Sequence, residues 1–153
     1  EIFDAFLSEP GDLAHFRHIN TYGAHPVAAA VALKNIEILE TEKLVENSEK
    51  QGAYLLRQLD ELTEHPYVGD VRGRGLLAGV ELVSDKDSKT ALAGDKVGAV
   101  IEGCKQQGVL VMRNGNTVPG LSNVVITAPP LIAGEAEIDK IVSALKNALV
   151  DIL

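Results

Sequence analysis

With 153 residues, 46% of them hydrophobic and 24% charged, the chain holds enough apolar material for one modest core. Its net charge of -8, relieved by no basic patch, sets it against polyanions, so neither nucleic acid nor anionic membrane is an expected partner. No apolar run reaches the roughly 18 residues of a membrane helix, and the opening EIFDAFL is acidic where a signal peptide is basic.

Ile2, Phe3, Phe6 and Leu7 share one helical face with no N-cap before them, which reads as the last turns of a helix already under way. Ser8 to Ala24, with Pro10, Gly11 and Gly23, has little periodicity and forms a long loop of the kind that often carries function. Pro26 then opens an alanine-rich helix to about Leu39, since a proline at the first helical position gives up no hydrogen bond. Thr41 is the expected N-cap of a second helix, in which Leu44, Leu55, Leu56, Leu59 and Leu62 recur at helical steps until His65-Pro66.

After Gly73 and Gly75 the pattern changes to strand over Leu76 to Val83, closed by a polar loop from Ser84 to Lys89. A third helix covers Asp95 to Gln107 and stops at Gly108, a usual C-terminal residue. Val109 to Met112 and Val124 to Thr127 form a long-looped hairpin around Asn114, Gly115, Pro119 and Gly120. From Glu135 onward, Ile138, Ile141, Val142, Leu145, Ala148, Leu149 and Ile152 mark one apolar stripe of a last helix. The expected architecture is α+β: about three largely antiparallel strands with helices on one face. Residues 1–24 are expected to be a helix remnant and an interface loop, and residues 25–153 a small domain.

Few residues point to chemistry by themselves. His15, His18 and His25 lie near one another, but a zinc site needs three or four ligands at defined spacing and the one thiol is distant, so no metal is expected. That thiol, Cys104, has no intrachain partner and reads as a small buried residue in a reducing, cytoplasmic compartment. Gly73 and Gly75 lead into a strand, not a helix, so they read as turn glycines and not as a phosphate loop. Glu61 with Glu64, and Glu135 with Glu137, read as solvated helix charges. Arg113 stands apart because it ends the apolar run Val109-Leu110-Val111-Met112, where a rigid element can present a guanidinium to a carboxylate; an ordinary salt bridge is the competing reading.

Taken in order, these segments resemble the class III aminotransferases of the pyridoxal-phosphate fold type I superfamily, in particular the ω-aminotransferases that use pyruvate as amino acceptor. The motifs are His18 with Thr21-Tyr22-Gly23-Ala24-His25-Pro26, then Val71-Arg72-Gly73-Arg74-Gly75-Leu76-Leu77 with Val80-Glu81-Leu82, then Gly108 to Arg113, and finally Ala128-Pro129-Pro130-Leu131 followed by Glu135-Ala136-Glu137-Ile138-Asp139. They span nearly the whole chain.

The resemblance implies the carboxy-terminal small domain of a homodimeric enzyme, with the large domain amino-terminal to it, small amines and keto acids as substrates, and pyridoxal 5'-phosphate as cofactor. It gives Thr21 the role of hydrogen-bonding the cofactor phosphate across the dimer interface, and Arg113 that of a mobile clamp on the substrate carboxylate. Arg72, Gly73 and Gly75 match positions read as structural. Ile19 and Asn20 replace a glycine and an aromatic residue, which places Asn20 at the substrate pocket and sets the donor preference apart. The small-residue pair is altered to Gly23-Ala24, and His25-Pro26 points away from the ornithine, GABA and aminomutase branches.

No catalytic residue is assigned within the chain. The reaction needs a lysine that holds the cofactor as a Schiff base and an acid on the pyridine nitrogen. Every lysine from Lys34 to Lys146 sits in a polar context, and the missing segments are expected upstream of Glu1, so the chain alone is expected to be inactive. Two alternatives stand beside this reading: a relative with decarboxylase or aminomutase chemistry, and a free-standing α+β module that binds a partner without catalysis.

Overall fold

A computed structural model describes residues 2–7, 9, 11, 21, 23–115 and 117–153, which fall into two units, Glu1–Glu37 and Ile38–Leu153. In the first unit the expected opening helix is a single 3-10 turn, Asp4–Phe6, in which Phe3 O accepts the Phe6 amide at 3.0 Å. Helix α1 (Pro26–Thr41) follows, with Pro26 at its first position as its sequence dictates. It buries none of its residues: Val27, Val31, Leu33 and Ile36, spread around the helix, are each at least half exposed.

Helix α1 runs two residues past its expected end, which moves the start of helix α2 (Leu44–Asp60) beyond Thr41. Thr41 is therefore not an N-cap. Its hydroxyl donates to the Ile38 carbonyl three residues back, and Lys43, in the left-handed region at φ 53°, offers its carbonyl to the Asn47 amide instead. Leu44, Gln51, Gly52, Leu55 and Leu59 form the buried face of α2, and the helix tightens into a 3-10 turn, Glu61–Glu64, that buries Leu62.

The sheet is antiparallel at every pairing. Strands β1 (Val68–Arg74), β2 (Leu77–Asp85) and β5 (Val124–Thr127) carry it, with the two-residue strands β3 (Thr90–Ala91) on β2 and β4 (Met112–Arg113) on β5. Strand β1 is not among the expected elements, since Val68 and Val71 are its only apolar residues and Gly73 reads as a turn glycine; its place is fixed by a hairpin through Gly75, at φ 54°, and by pairing along β2. The strand expected over Val109 to Met112 is shorter and later, Met112–Arg113, whereas β5 and helices α3 (Gly94–Gln106) and α4 (Glu135–Ile152) lie close to where the sequence puts them.

The strand period of two decides which side of the sheet each residue serves. Ala78, Val80 and Leu82 on β2 and Val125 on β5 are buried, and Leu55 and Leu59 of α2, Val97, Val100 and Cys104 of α3, and Ile138, Leu145 and Leu149 of α4 join them in one core. The helices thus cover one face, and each fully buried leucine or isoleucine there contributes about 1.5–3 kcal/mol. The other face carries Leu77 and Met112, both exposed, together with Arg72 and Glu81. Helix α4 is tied to α2 by Tyr54, whose hydroxyl donates to Asp139 Oδ1 at 2.7 Å, and its start is closed by Glu137, which accepts the Gly134 amide at 3.0 Å.

Candidate functional site

The register across the sheet places Arg113. Val71 pairs with Val80, Val80 with Val125 and Val125 with Arg113, so the arginine ends a row of three valines on the helix-covered side, at the sheet's edge. A long charged side chain is tolerated at the end of such a row because its head reaches past the core to solvent. Arg113 Nη1 donates to the Gly94 carbonyl at the start of α3, at 3.2 Å. Among the described residues Arg113 has no carboxylate partner, so the salt-bridge reading finds no support in the geometry. Its guanidinium borders an open cavity of about 430 Å³ shared with Leu92, Gly94, Asp95, Gly120 and Ser122. Four further N–H bonds of the planar fork are left to bind an anion in bidentate fashion.

Asn114 was expected as one of several turn residues, yet all four of its polar groups are engaged. Its amide donates to the Val124 carbonyl at 3.1 Å, its Oδ1 accepts the Val124 amide at 2.9 Å, its Nδ2 donates to the Leu121 carbonyl at 2.6 Å, and its carbonyl accepts the Ser122 hydroxyl at 2.7 Å. At the far end of the same loop buried Asn123 donates to the Leu82 carbonyl at 2.7 Å. The signal in the sequence was an asparagine directly after a strand, a residue type that bonds nearby backbone with its side chain.

Thr21 belongs to the first unit and Arg113 to the second. Thr21 is exposed in a turn, followed by Gly23 and by Ala24 at φ 59°, and the His25 carbonyl then accepts the first helical amide, that of Ala29 at 2.9 Å. Asn20 lies outside the described residues, as do His15, His18 and Ile19. The exposed hydroxyl of Thr21 fits a phosphate oxygen, which it can meet as a donor without adding charge. All nine lysines are described, and all are exposed on polar helix faces or loops.

Other titratable groups are accounted for by structure. Arg72 bridges Asp70 at 2.5 Å and Glu81 at 2.6 Å on the open sheet face, and these carboxylates raise its pKa above the ordinary value. Burial pushes the Cys104 thiol up to about 11, and its Sγ faces the Ala144 carbonyl at 3.7 Å, so it is no nucleophile near neutrality. His65, beside Pro66, accepts the Tyr67 amide on Nδ1 at 3.4 Å; burial and then Lys86 lower its pKa. Among the described residues no group of three histidine, cysteine, aspartate or glutamate side chains is placed to hold a metal, and no helix is long and apolar enough to cross a membrane.

The family Aminotransferase class-III matches residues 2–149. The chain belongs to the class III aminotransferases. Among curated relatives of this class III chain, the aminotransferase YhxA of Bacillus subtilis is 46% identical over 97% of the chain, and the taurine–pyruvate aminotransferase of Rhodobacter capsulatus 44% identical over 97%. The putrescine–pyruvate aminotransferase of Pseudomonas aeruginosa is 37% identical over 88%. The fold is similar to that of a Bacillus anthracis aminotransferase, with a TM-score of 0.89 at 47% identity over 99% of this chain and 34% of that one. It is also similar to an (S)-enantioselective ω-transaminase from Thermomicrobium roseum, with a TM-score of 0.79 at 40% identity over 90% of this chain and 30% of that one. This class III chain spans about a third of the length of the curated relatives it matches, 33% for the first two.

Proposed function

We propose that this chain is the carboxy-terminal part of a pyridoxal-phosphate-dependent aminotransferase that moves an amino group from an amine or ω-amino acid to a keto acid, with pyruvate as acceptor. The observation that carries the reading is Arg113: its Cα is fixed by the sheet, and its guanidinium, among the described residues, is held by the Gly94 carbonyl alone and opens to a cavity. A fork in that state can close on a carboxylate through two parallel N–H···O bonds and release it again, as an acceptor site must. Pyruvate is favoured because the taurine and putrescine relatives carry it in their names. Thr21 donates its hydroxyl to the cofactor phosphate, and Asn20 lines the substrate pocket. The cofactor, when bound, supplies the carbonyl that takes up the amine and the ring that delocalises electrons when the substrate's C–H bond breaks.

In this reading the lysine and the acid on the pyridine nitrogen come from a large domain amino-terminal to these residues, the active site is completed in a homodimer, and the chain alone is inactive. The exposure of every lysine supports the last point. The unpaired, buried Cys104 supports a cytoplasmic setting. The test is alanine formation from pyruvate and an amine donor by the full-length protein loaded with cofactor, beside the 153-residue chain treated in the same way. Acceptor-dependent turnover by the first and none by the second is expected. Turnover without any keto acid would overturn the reading in favour of decarboxylase or aminomutase chemistry. In the full-length enzyme Arg113→Leu is expected to raise KM for pyruvate by about tenfold or more, the worth of a bidentate charged pair, and to leave the KM of a donor without a carboxylate unchanged.

A further inference from the structure

We propose that Asn114 is a positioning residue for Arg113, one that fixes the backbone from which the guanidinium works; this rests on the assignment of Arg113 to the substrate carboxylate. Strand β4 has only two residues, Met112 and Arg113, and lies at the edge of the sheet. An edge strand that short frays, and fraying would let the arginine's Cα drift by more than the fraction of an ångström that bidentate recognition tolerates. Asn114 prevents this by continuing the ladder with its side chain. Its main-chain amide makes a backbone bond to Val124, the residue at which β5 begins, and its Oδ1 accepts the Val124 amide where another strand residue would use its carbonyl.

The same side chain sets the loop that borders the cavity. Nδ2 of Asn114 holds the Leu121 carbonyl and its own carbonyl takes the Ser122 hydroxyl, so Gly120 and Ser122, which face the cavity with Arg113, are placed by the residue adjoining that arginine. The far end is anchored separately, because the Asn123 carbonyl accepts the Leu82 amide at 2.8 Å while its side chain donates back to Leu82. The result is a rigid hinge with a free arm: Arg113 is fixed at the backbone on both sides, and its tip carries one weak restraint, the 3.2 Å bond to Gly94.

Asn114→Ala removes the Oδ1 bond to Val124 and the Nδ2 bonds to Leu121 and Gly115, and leaves the main-chain bonds of residue 114 in place. In the full-length holoenzyme, the Ala variant is expected to raise KM for pyruvate about five- to tenfold, with kcat and the KM of an amine donor lacking a carboxylate unchanged. Ser122→Ala, which removes one bond and leaves the rest of the clasp, covers the case in which the Ala variant does not fold, and is expected to raise the pyruvate KM about two- to threefold. Unchanged pyruvate KM in these variants, or an equal loss of activity with both substrates, would overturn the proposal and leave Asn114 as an ordinary turn residue. The parallel Arg113→Leu variant separates the two levels. If it leaves the pyruvate KM unaltered, the assignment of Arg113 is wrong; if it raises that KM while Asn114→Ala does not, only the positioning role fails.

Discussion

Gly52 faces the backbone of Gly75 with no room for a methyl group: a Cβ on Gly52 would stand 2.2 Å from both the carbonyl carbon and the oxygen of Gly75. Mid-helix glycine costs about 1 kcal/mol against alanine in an isolated helix, so the gain must come from the approach it allows. Helix α2 lies directly on the β1–β2 turn, and Ser48, one turn earlier, accepts the Leu76 amide there at 3.3 Å. Gly52→Ala is therefore expected to destabilise the protein by about 1–3 kcal/mol despite its better helix propensity, measured by urea unfolding. Gly103→Ala is the comparison: the nearest atom its Cβ would meet is Ile152 Cδ1 at 2.8 Å, the tip of a side chain that can turn away, and its cost is expected to be smaller. A Gly52→Ala protein as stable as the parent would mean that helix and turn separate freely.

Ala24 holds φ 59° in the turn between Thr21 and α1. A left-handed alanine carries about 1–2 kcal/mol of strain that glycine does not, offset by about 0.4–1 kcal/mol from the wider freedom glycine gives the unfolded chain. Ala24→Gly is thus expected to stabilise by about 0.5–1 kcal/mol. The check is the thermal midpoint, which should rise; a fall would show that the turn is not held in this conformation in solution.

The pH dependence of stability should carry a contribution from His65. Its folded-state pKa is lowered from 6.5, first by burial and then by Lys86, so the folded protein binds fewer protons than the unfolded chain as the pH drops through 6.5. Stability is full above that value and declines below it until the folded-state pKa is passed. Unfolding free energies at about pH 7.5 and about pH 5 should differ less in His65→Gln than in the parent. An identical pH profile in the two proteins would show that His65 does not contribute.

The sequence was most legible where periodicity and burial agree. Helix α4 announces itself because Ile138, Leu145 and Leu149 must all face one core, and β5 because three apolar, β-branched residues and a threonine lie between loops. Strand β1 was illegible because its outer positions hold Asp70, Arg72 and Arg74, and its pairing comes from β2, not from its own composition. Arg113 could be singled out as the polar end of an apolar run, but not the role of Asn114, since Leu121 and Val124 become its neighbours only after the loop has closed. Thr41 misled because a helix boundary is set by the carbonyls the preceding helix still claims, a competition that composition does not reveal.

Helix α1 has consequences for handling the polypeptide. Val27, Val31, Leu33 and Ile36 are each at least half exposed, and apolar surface left in water costs roughly 25 cal/mol per Å². Such a helix is a natural target for chaperones and a seed for precipitation as concentration rises. A preparation beginning at Ile38 would shed that burden and keep the core intact, so solubility should improve by shortening the chain.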